Sequence, residues 1–158
     1  MEPERYLDPV DLLKELYRRR LPYLLVGRQA LVLVGAPVMT ADYDFFFSPR
    51  REDLQALLAL AAEKDLEPSA KTLHLRPFFS LLSDTQKFDF FRAKAYSTVS
   101  GVSFTFEEIY ARKQVFAVEG FEIHVPCLRD LILTKQIRNW PKDQEDIKYL
   151  QVLLERER

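Results

Sequence analysis

The chain has 158 residues, of which 47% are hydrophobic and 30% charged, and its formal net charge is −1. This composition is that of an ordinary globular protein, and the length suits one domain rather than two. A charge so close to zero argues against a surface that coats nucleic acid. No run approaches the roughly 18 apolar residues of a membrane span, and the charged start MEPERYLDP does not resemble a secretory signal. The single cysteine, Cys127, excludes a disulfide framework. We therefore expect one cytoplasmic domain over residues 1–158.

The first helix is predicted to begin at Asp8 and Pro9, because aspartate caps helices and proline suits their first turn. Apolar residues recur at helical spacing as far as Tyr17. The run Arg18–Arg20 suits a helix C-terminus, where cations are favoured, and we prefer that interpretation to a nucleic-acid contact.

The stretch Tyr23–Phe47 predicts a strand over Tyr23–Val26, a buried helix over Gln29–Val34 and a second strand that carries Asp42 and Asp44. Side chains alternate along a strand, so the two aspartates are expected on one face. Adjacent carboxylates repel each other and lose hydration when half buried. A cation relieves both costs, and oxygen-only ligands suit Mg²⁺ or Mn²⁺.

Gly27 lies between the first strand and the short helix. Glycine allows the backbone to approach a ligand closely, and the N–H groups of the helix start favour a phosphate. Nucleotidyl transfer uses both of these features, a metal-binding acidic pair and a turn that binds phosphate.

The segments Val26–Arg28 and Asp42–Phe45 together resemble a motif of the nucleotidyltransferase superfamily, to which DNA polymerase beta belongs. That motif is a hydrophobic residue, glycine and a small residue, followed after a gap by Asp-x-Asp. The chain looks more closely like the small bacterial proteins related to abortive-infection toxins and minimal nucleotidyltransferase antitoxins. Arg28 departs from the pattern, because the family usually has a second small residue there. We expect Arg28 either to pair with the acidic residues in place of a metal or to turn outward toward nucleotide phosphates.

The middle of the chain predicts a helix over Arg51–Lys64 and a short extended segment at Leu66–Pro68. Leu73–Leu82 contains strand-like runs broken by Pro77, which indicates one or two edge strands.

Lys87–Phe91 predicts a strand on which Asp89 faces away from Phe88 and Phe90. A carboxylate among phenylalanines is costly unless a partner compensates for the lost hydration. In the family that the chain resembles, a third acidic residue on a neighbouring strand completes the metal site, and Asp89 matches it by type and position. The alternative is an exposed aspartate on an edge strand.

The C-terminal half predicts a helix within Gly101–Arg112 and a hairpin of Lys113–Val118 with Phe121–Val125, joined by a glycine-containing turn. Helical spacing follows from Leu128 onward, and a last helix is predicted over Lys142–Leu154.

The second part of the resemblance lies in these last helices. The toxin-related proteins carry a Lys/Arg-rich helix followed by Lys-Asp-x-x-Asp, and this chain has Lys135, Arg138, Lys142, Asp143 and Asp146. The basic residues are expected to meet triphosphate oxygens or the acidic cluster. For the two aspartates, helix capping and a salt bridge to Arg138 is the preferred interpretation over direct catalysis.

The sequence therefore predicts an α/β (α+β) fold of the nucleotidyltransferase type, a mixed and mostly antiparallel sheet with helices mainly on one face. The resemblance implies Mg²⁺-dependent (or Mn²⁺-dependent) transfer of an NMP from an NTP to a protein or RNA hydroxyl, with a toxin or antitoxin partner. Two alternatives stay open: a binding or neutralising module without turnover, and a structural domain whose acids are all paired. The metal and catalytic residues are predicted to be Asp42, Asp44 and Asp89, and the nucleotide-binding residues Gly27, Arg28, Lys135, Arg138 and Lys142.

Overall fold

The structure of the protein, a computed structural model, describes residues 6–70 and 76–157. The strands in these residues are β1 (Tyr23–Val26), β2 (Tyr43–Phe47), β3 (Glu67–Pro68), β4 (Phe78–Leu82), β5 (Lys87–Phe91), β6 (Ala95–Ser97), β7 (Ser103–Thr105), β8 (Gln114–Val118) and β9 (Phe121–Val125). The helices are α1 (Pro9–Arg18), α2 (Gly27–Leu33), α3 (Arg51–Glu63), α4 (Phe106–Ala111), α5 (Leu128–Gln136) and α6 (Pro141–Arg156).

The central sheet has five strands in the order β1-β2-β5-β4-β3. Only β2 and β5 pair in parallel, and the other neighbouring strands are antiparallel. Two hairpin sheets, β6-β7 and β8-β9, complete the strands of the described residues. The predicted mixed, mostly antiparallel sheet with flanking helices is confirmed.

Local sequence signals place several of these elements. The Asp8 carboxylate accepts a hydrogen bond from the Val10 N–H at 2.9 Å and so caps α1 as predicted. In α4 the Thr105 hydroxyl and the Glu108 carboxylate each bond the other residue's backbone N–H, at 3.1 Å in both directions. The predicted hairpin before α5 is present as β8-β9.

The larger hydrophobic core lies on one face of the central sheet. Phe90 is fully buried there, and its ring stacks on Phe45 with centroids 4.9 Å apart and on Phe79 at 5.4 Å. Leucines of α1 and α3 pack into the same core. These rings fill the layer between sheet and helices and so hold three adjacent strands in register.

A second, smaller core covers part of the opposite face. Leu24 and Phe46 face it from the sheet, and Phe104, Phe106 and Ile109 pack against them. Every residue of β1 is therefore buried, because the strand is covered on both faces.

The predicted strand through both Asp42 and Asp44 is shorter than expected, since β2 begins at Tyr43. The ladder to β1 ends where Val26 pairs with Asp44, so Asp42 has no antiparallel partner to extend the strand. Its N–H instead donates to the Thr40 hydroxyl at 3.1 Å. Asp42 is exposed just outside the sheet.

The predicted helix within Gly101–Arg112 is present as α4, but it occupies only the second half of that range. Ser103–Thr105 forms β7 and pairs with β6 through a tight turn in which the Thr98 N–H donates to Val102 O. The capping residue Thr105 then starts α4 at Phe106, because a capping box sets the helix start.

The predicted edge strands within Leu73–Leu82 are only partly tested, because residues 71–75 lie outside the described residues. The part that is described, β4, is not an edge strand, since the two-residue β3 lies outside it. Within residues 6–70 and 76–157, none of the helices combines the length and apolar character that a membrane span requires.

Replacement of Phe90 by leucine tests the role of the aromatic core. Phe90→Leu should lower the free energy of unfolding by about 1–2 kcal/mol, because leucine cannot make the ring contacts with Phe45 and Phe79. Phe78→Leu is the matched control, since the Phe78 ring on the adjacent strand is 43% exposed. Urea denaturation measures both, and an equal loss in the two variants would contradict this account of the core.

Candidate active site

Asp44 and Asp89 lie side by side on the face of the central sheet opposite the larger core. They are register partners in the parallel pair β2-β5, so both side chains leave the sheet in the same direction. Ser80, the partner of Asp89 on β4, donates its hydroxyl proton to Asp89 Oδ1 at 2.5 Å. The Lys87 ammonium lies 3.5 Å from Asp89 Oδ2. We call the line formed by Asp44, Asp89 and Ser80 the carboxylate row.

The electrostatics of this row single out Asp44. Its pKa is raised to about 6, first by burial and then by the negative charges of Asp89 and Asp42, while the Lys135 ammonium opposes the shift. A hydrogen bond with Asp89 adds to the rise, because it favours the protonated carboxyl. Asp44 therefore carries a proton well above the usual pH range of an aspartate, in the manner of two carboxyls that share one site.

Gly27 forms the floor beside Asp44. Its φ is +66°, and a Cβ built on it would lie 2.4 Å from Asp44 Oδ2. An L-residue with a side chain is strained at this φ, and any side chain would collide with the carboxylate. The backbone thus approaches Asp44 as closely as glycine alone permits, and the predicted approach to a phosphate stays a prediction.

A cavity of about 400 Å³ separates the carboxylate row from the C-terminal part of α5. Thr134, Lys135, Ile137 and Arg138 line it from the helix side. The cavity therefore has the carboxylates of the sheet on one side and, on the other, Lys135 of α5 and Arg138 just after it, with Asp143 of α6 beside them. We call this second side the cationic wall; a metal and a polyphosphate need charges of both signs.

The cationic wall is held by buried carboxylates of α6. The Lys135 ammonium lies 2.9 Å from Asp146 Oδ2 and 3.9 Å from Asp143 Oδ1. The Arg138 guanidinium donates to both oxygens of Asp143, at 3.0 and 3.2 Å, and stacks over the Trp140 ring at 4.0 Å. Buried carboxylates are tolerated only when paired in this way, so the network fixes the position of both cations.

Asp143 has the structural role that we preferred for it. Its carboxylate accepts from the Trp140 N–H at 3.0 Å and so caps α6. Burial by itself raises the pKa of Asp143, but the Arg138 guanidinium and the Trp140 N–H outweigh it and lower the pKa below its ordinary value. Asp146 is fully buried and pairs with Lys135 and Arg28, not with Arg138 as the sequence suggested.

Arg28 follows neither of the two directions expected for it. Its guanidinium donates to Asp146 Oδ1 at 3.2 Å, across the chain on α6. Among the described residues it therefore forms no salt bridge or hydrogen bond with Asp42, Asp44 or Asp89, and it does not line the cavity. The side chain is drawn away because Asp146 is fully buried and needs a second cation close to its other oxygen.

The remaining predicted phosphate ligand, Lys142, is exposed on the first turn of α6 and does not line the cavity. Ser80, which bonds Asp89, and the cavity residues Phe46, Phe78 and Phe91 were absent from the predicted site. Ser80 and Phe78 lay in the segment predicted as edge strands, and no motif assigned the three rings to the site. The signal available for Phe46 and Phe91 was alternation, since each follows its aspartate by two residues on the same strand.

A divalent cation fits the carboxylate row by its chemistry. Asp44 and Asp89 offer only oxygen ligands, and a cation would relieve the two causes that raise the pKa of Asp44, first its burial and then the negative charges of Asp89 and Asp42. Among the residues that the structure describes, no three acidic, histidine or cysteine side chains form a metal-binding group. The structure therefore brings together two of the three predicted ligands, and the part of Asp42 stays a prediction.

Solved structures of similar architecture include two proteins that are described as nucleotidyl-transferring or related enzymes. The lincosamide antibiotic adenylyltransferase LnuA, in a lincomycin-bound crystal structure, superposes with a TM-score of 0.64 at 12% identity, covering 91% of this chain and 94% of that one. TM1012 from Thermotoga maritima, assigned provisionally as a nucleotidyltransferase, gives 0.57 at 19% identity, covering 94% and 93%. No protein-family model and no curated protein sequence matches the chain. At these identities the likeness concerns the fold, and the expected nucleotidyltransferase-like fold is confirmed.

Replacement of Gly27 by alanine tests the contact with Asp44. Gly27→Ala should lower the free energy of unfolding by about 3 kcal/mol, because it adds a steric collision to the cost of a positive φ. Gly120→Ala is the matched control, since Gly120 also has a positive φ (+85°) but nothing within 4 Å of an added Cβ. It should cost about 1 kcal/mol. Equal losses in the two variants, measured by urea denaturation, would show that Gly27 is not in contact with Asp44.

The stability of the metal-free protein should depend on pH through Asp44. Because its folded pKa is about 6 and its ordinary value 3.8, the folded state binds more protons between these values, and stability falls as pH rises through 6. Asp44→Asn should therefore match the parent near pH 4 and exceed it at pH 7.5, by on the order of 1–2 kcal/mol after allowance for solvent screening. Asp84→Asn, at an exposed turn, is the control. Urea denaturation in EDTA measures the difference, and a gain that is the same at both pH values would refute the assignment.

Proposed function

We propose that the protein is a nucleotidyltransferase that transfers an NMP from an NTP to a hydroxyl group. The observation that carries the proposal is the paired carboxylates Asp44 and Asp89, which face the Lys135 ammonium across one cavity. The fold shared with LnuA and TM1012 supports it, since a fold alone does not define a reaction but this site has the groups that the reaction uses.

Each group has a role that follows from its surroundings. Asp44 and Asp89 would hold Mg²⁺ or Mn²⁺, and we propose Asp42, exposed just outside the sheet, as a further ligand. A cation bound there neutralises charge on the phosphate oxygens. Lys135 attracts the triphosphate from the opposite wall, and its ammonium still has donor capacity beyond its bonds to α6. Gly27 lines the same cavity as Asp44, and we assign its backbone to the phosphates.

We assign to Asp89 the role of taking the proton from the acceptor hydroxyl. Its Oδ1 is occupied by the Ser80 hydroxyl and its Oδ2 faces the exposed Lys87 ammonium, so the carboxylate is held in one orientation. An acceptor hydroxyl placed against Oδ2 could transfer its proton to it while the oxygen attacks the α-phosphate and pyrophosphate leaves.

The sequence resemblance and the structural similarity each suggest a class of acceptor. The resemblance to toxin-related proteins favours a protein side chain or an RNA end, within a toxin–antitoxin pair. The similarity to a lincosamide adenylyltransferase adds a small hydroxylated molecule. All of these acceptors, and the NTP, are available in the cytoplasm, where we place the protein.

A second candidate function is a binding or neutralising module without turnover. Two observations favour it. The cations of Lys135, Arg138 and Arg28 already pair with Asp143 and Asp146. Of the three predicted metal ligands, only Asp44 and Asp89 lie side by side. A network of this kind can stabilise a fold without binding a substrate.

Label transfer separates the two functions. The parent is incubated with each labelled NTP, Mn²⁺ or Mg²⁺, and a lysate split into protein, RNA and small-molecule fractions. A nucleotidyltransferase should label one species, Asp89→Asn should reduce the rate at least 100-fold by loss of the base (about 10²–10⁴), and Asp84→Asn should leave it unchanged. Mn²⁺ should also raise the melting temperature of the parent but not of Asp44→Asn.

The outcomes assign the protein to one class. NTP binding without any labelled species would establish the binding module. Failure to bind any NTP, with a melting temperature indifferent to Mn²⁺, would contradict both functions and leave a structural domain.

A further inference from the structure

A second row of side chains runs beside the carboxylate row on the same face of the sheet. Two residues beyond Asp44 on β2 lies Phe46, and two residues beyond Asp89 on β5 lies Phe91. Phe78 on β4 is the register partner of Phe91. The sheet therefore presents an acidic row and, next to it, a line of Phe46, Phe91 and Phe78 that we call the aromatic row. Two residues along a strand place the rows about 7 Å apart, a gap that one ribose can bridge.

The aromatic row is continuous and belongs to the same cavity as the carboxylates. The Phe91 ring lies 5.6 Å from Phe46 and 5.0 Å from Phe78 between centroids, and Tyr96 stacks on Phe46 at 4.6 Å. All four rings line the cavity. Ile137 of the opposite wall packs against the core that contains Phe46, so this end of the cavity is apolar on both sides.

Burial in the second core accounts for Phe46, at one end of the aromatic row, but not for Phe91 and Phe78. Phe46 is 4% exposed and lies within the second core, but Phe78 is 43% exposed and Phe91 is half buried. The neighbouring residue Phe79 shows that β4 buries a ring fully on its other face. Two adjacent rings exposed inside a cavity, beside carboxylates and a lysine, have the composition of a ligand site, where an apolar surface binds the body of a molecule and a few polar groups orient it.

We propose that Phe91 and Phe78 form the subsite that binds the base of the NTP by stacking. The inference rests on the proposed function, since the phosphates would lie at the carboxylate row and Lys135. A nucleotide has the matching layout, a charged end and a planar ring joined by one sugar. Aromatic side chains bind bases of every kind through their ring faces.

The surrounding polar groups predict weak discrimination among bases. The Tyr96 hydroxyl accepts from the Ala93 N–H at 3.1 Å, and the Thr134 hydroxyl donates to Leu131 O at 2.6 Å. Arg138 is occupied by both oxygens of Asp143. Each of these side chains is oriented by a bond within the protein, although the Tyr96 hydroxyl proton and part of the Arg138 guanidinium keep donor capacity. We expect stacking to supply most of the affinity, so the four NTPs should bind alike.

The test compares each NTP with inorganic tripolyphosphate, which has the charged end and no ring. Isothermal titrations in Mn²⁺ should show that the parent binds every NTP about tenfold more tightly than tripolyphosphate, with the four NTPs within roughly threefold of one another. Phe78→Leu combined with Phe91→Leu should remove most of this advantage while tripolyphosphate affinity is unchanged. Phe116→Leu, a half-buried ring outside the cavity, is the matched control and should change neither.

The results separate this inference from the proposed function. If the parent binds tripolyphosphate and NTPs equally, or if the double variant weakens both ligands equally, the base subsite is refuted and the proposed function stands. If the parent binds neither ligand, both fall. A strong preference for one base would refute the stacking account, because it would require a hydrogen-bonding group that reads that base. Phe78→Leu alone keeps the test available should the double variant fail to fold, since that ring is largely exposed.

Discussion

The parallel pairing of β2 with β5 is the contact on which the candidate site depends. It places Asp44 beside Asp89 although a long stretch of chain separates the two strands. On the reverse face, the stacked rings of Phe45 and Phe90 hold the same register. Because side chains alternate, a slip of β5 by one residue would turn Asp89 toward the core and Phe90 out of it, while Asp44 and Phe45 kept their faces. The aromatic core and the acidic site are thus two consequences of one strand alignment.

The opposite wall depends on charge compensation. Asp146 is fully buried, so it requires the two cations that approach it, Lys135 at 2.9 Å and Arg28 at 3.2 Å. Buried ion pairs of this kind add little net stability, but loss of one partner leaves an unpaired charge in the interior. Their effect here is positional: α5 is held against α6 with Lys135 directed at the cavity. Arg28, the residue that departs from the motif, therefore acts on the site through Asp146 and not by entering it.

Several site features could be inferred from sequence because they follow from short-range rules. Alternation along Lys87–Phe91 placed the Asp89 carboxylate on the face opposite the buried rings. The structure agrees with the prediction that Asp89 lies beside Asp44. Asp42 was misplaced because the end of β2 is decided by where its partner β1 stops, which no local pattern records. The strand Ser103–Thr105 was not predicted for the same reason, since it exists only by pairing with β6.

The sequence by itself determined the order of most helices and strands, the acidic and glycine motifs and the type of fold. Periodicity, capping residues and turn glycines depend on residues that are close together in the chain, so they can be recognised from the sequence alone. Only the tertiary structure decided which carboxylates meet, which cation each buried aspartate receives, and that Phe46, Phe91 and Phe78 form a row beside the acids. Those choices follow from strand register and from the need to pair buried charge, and both are set by contacts between residues far apart in the chain.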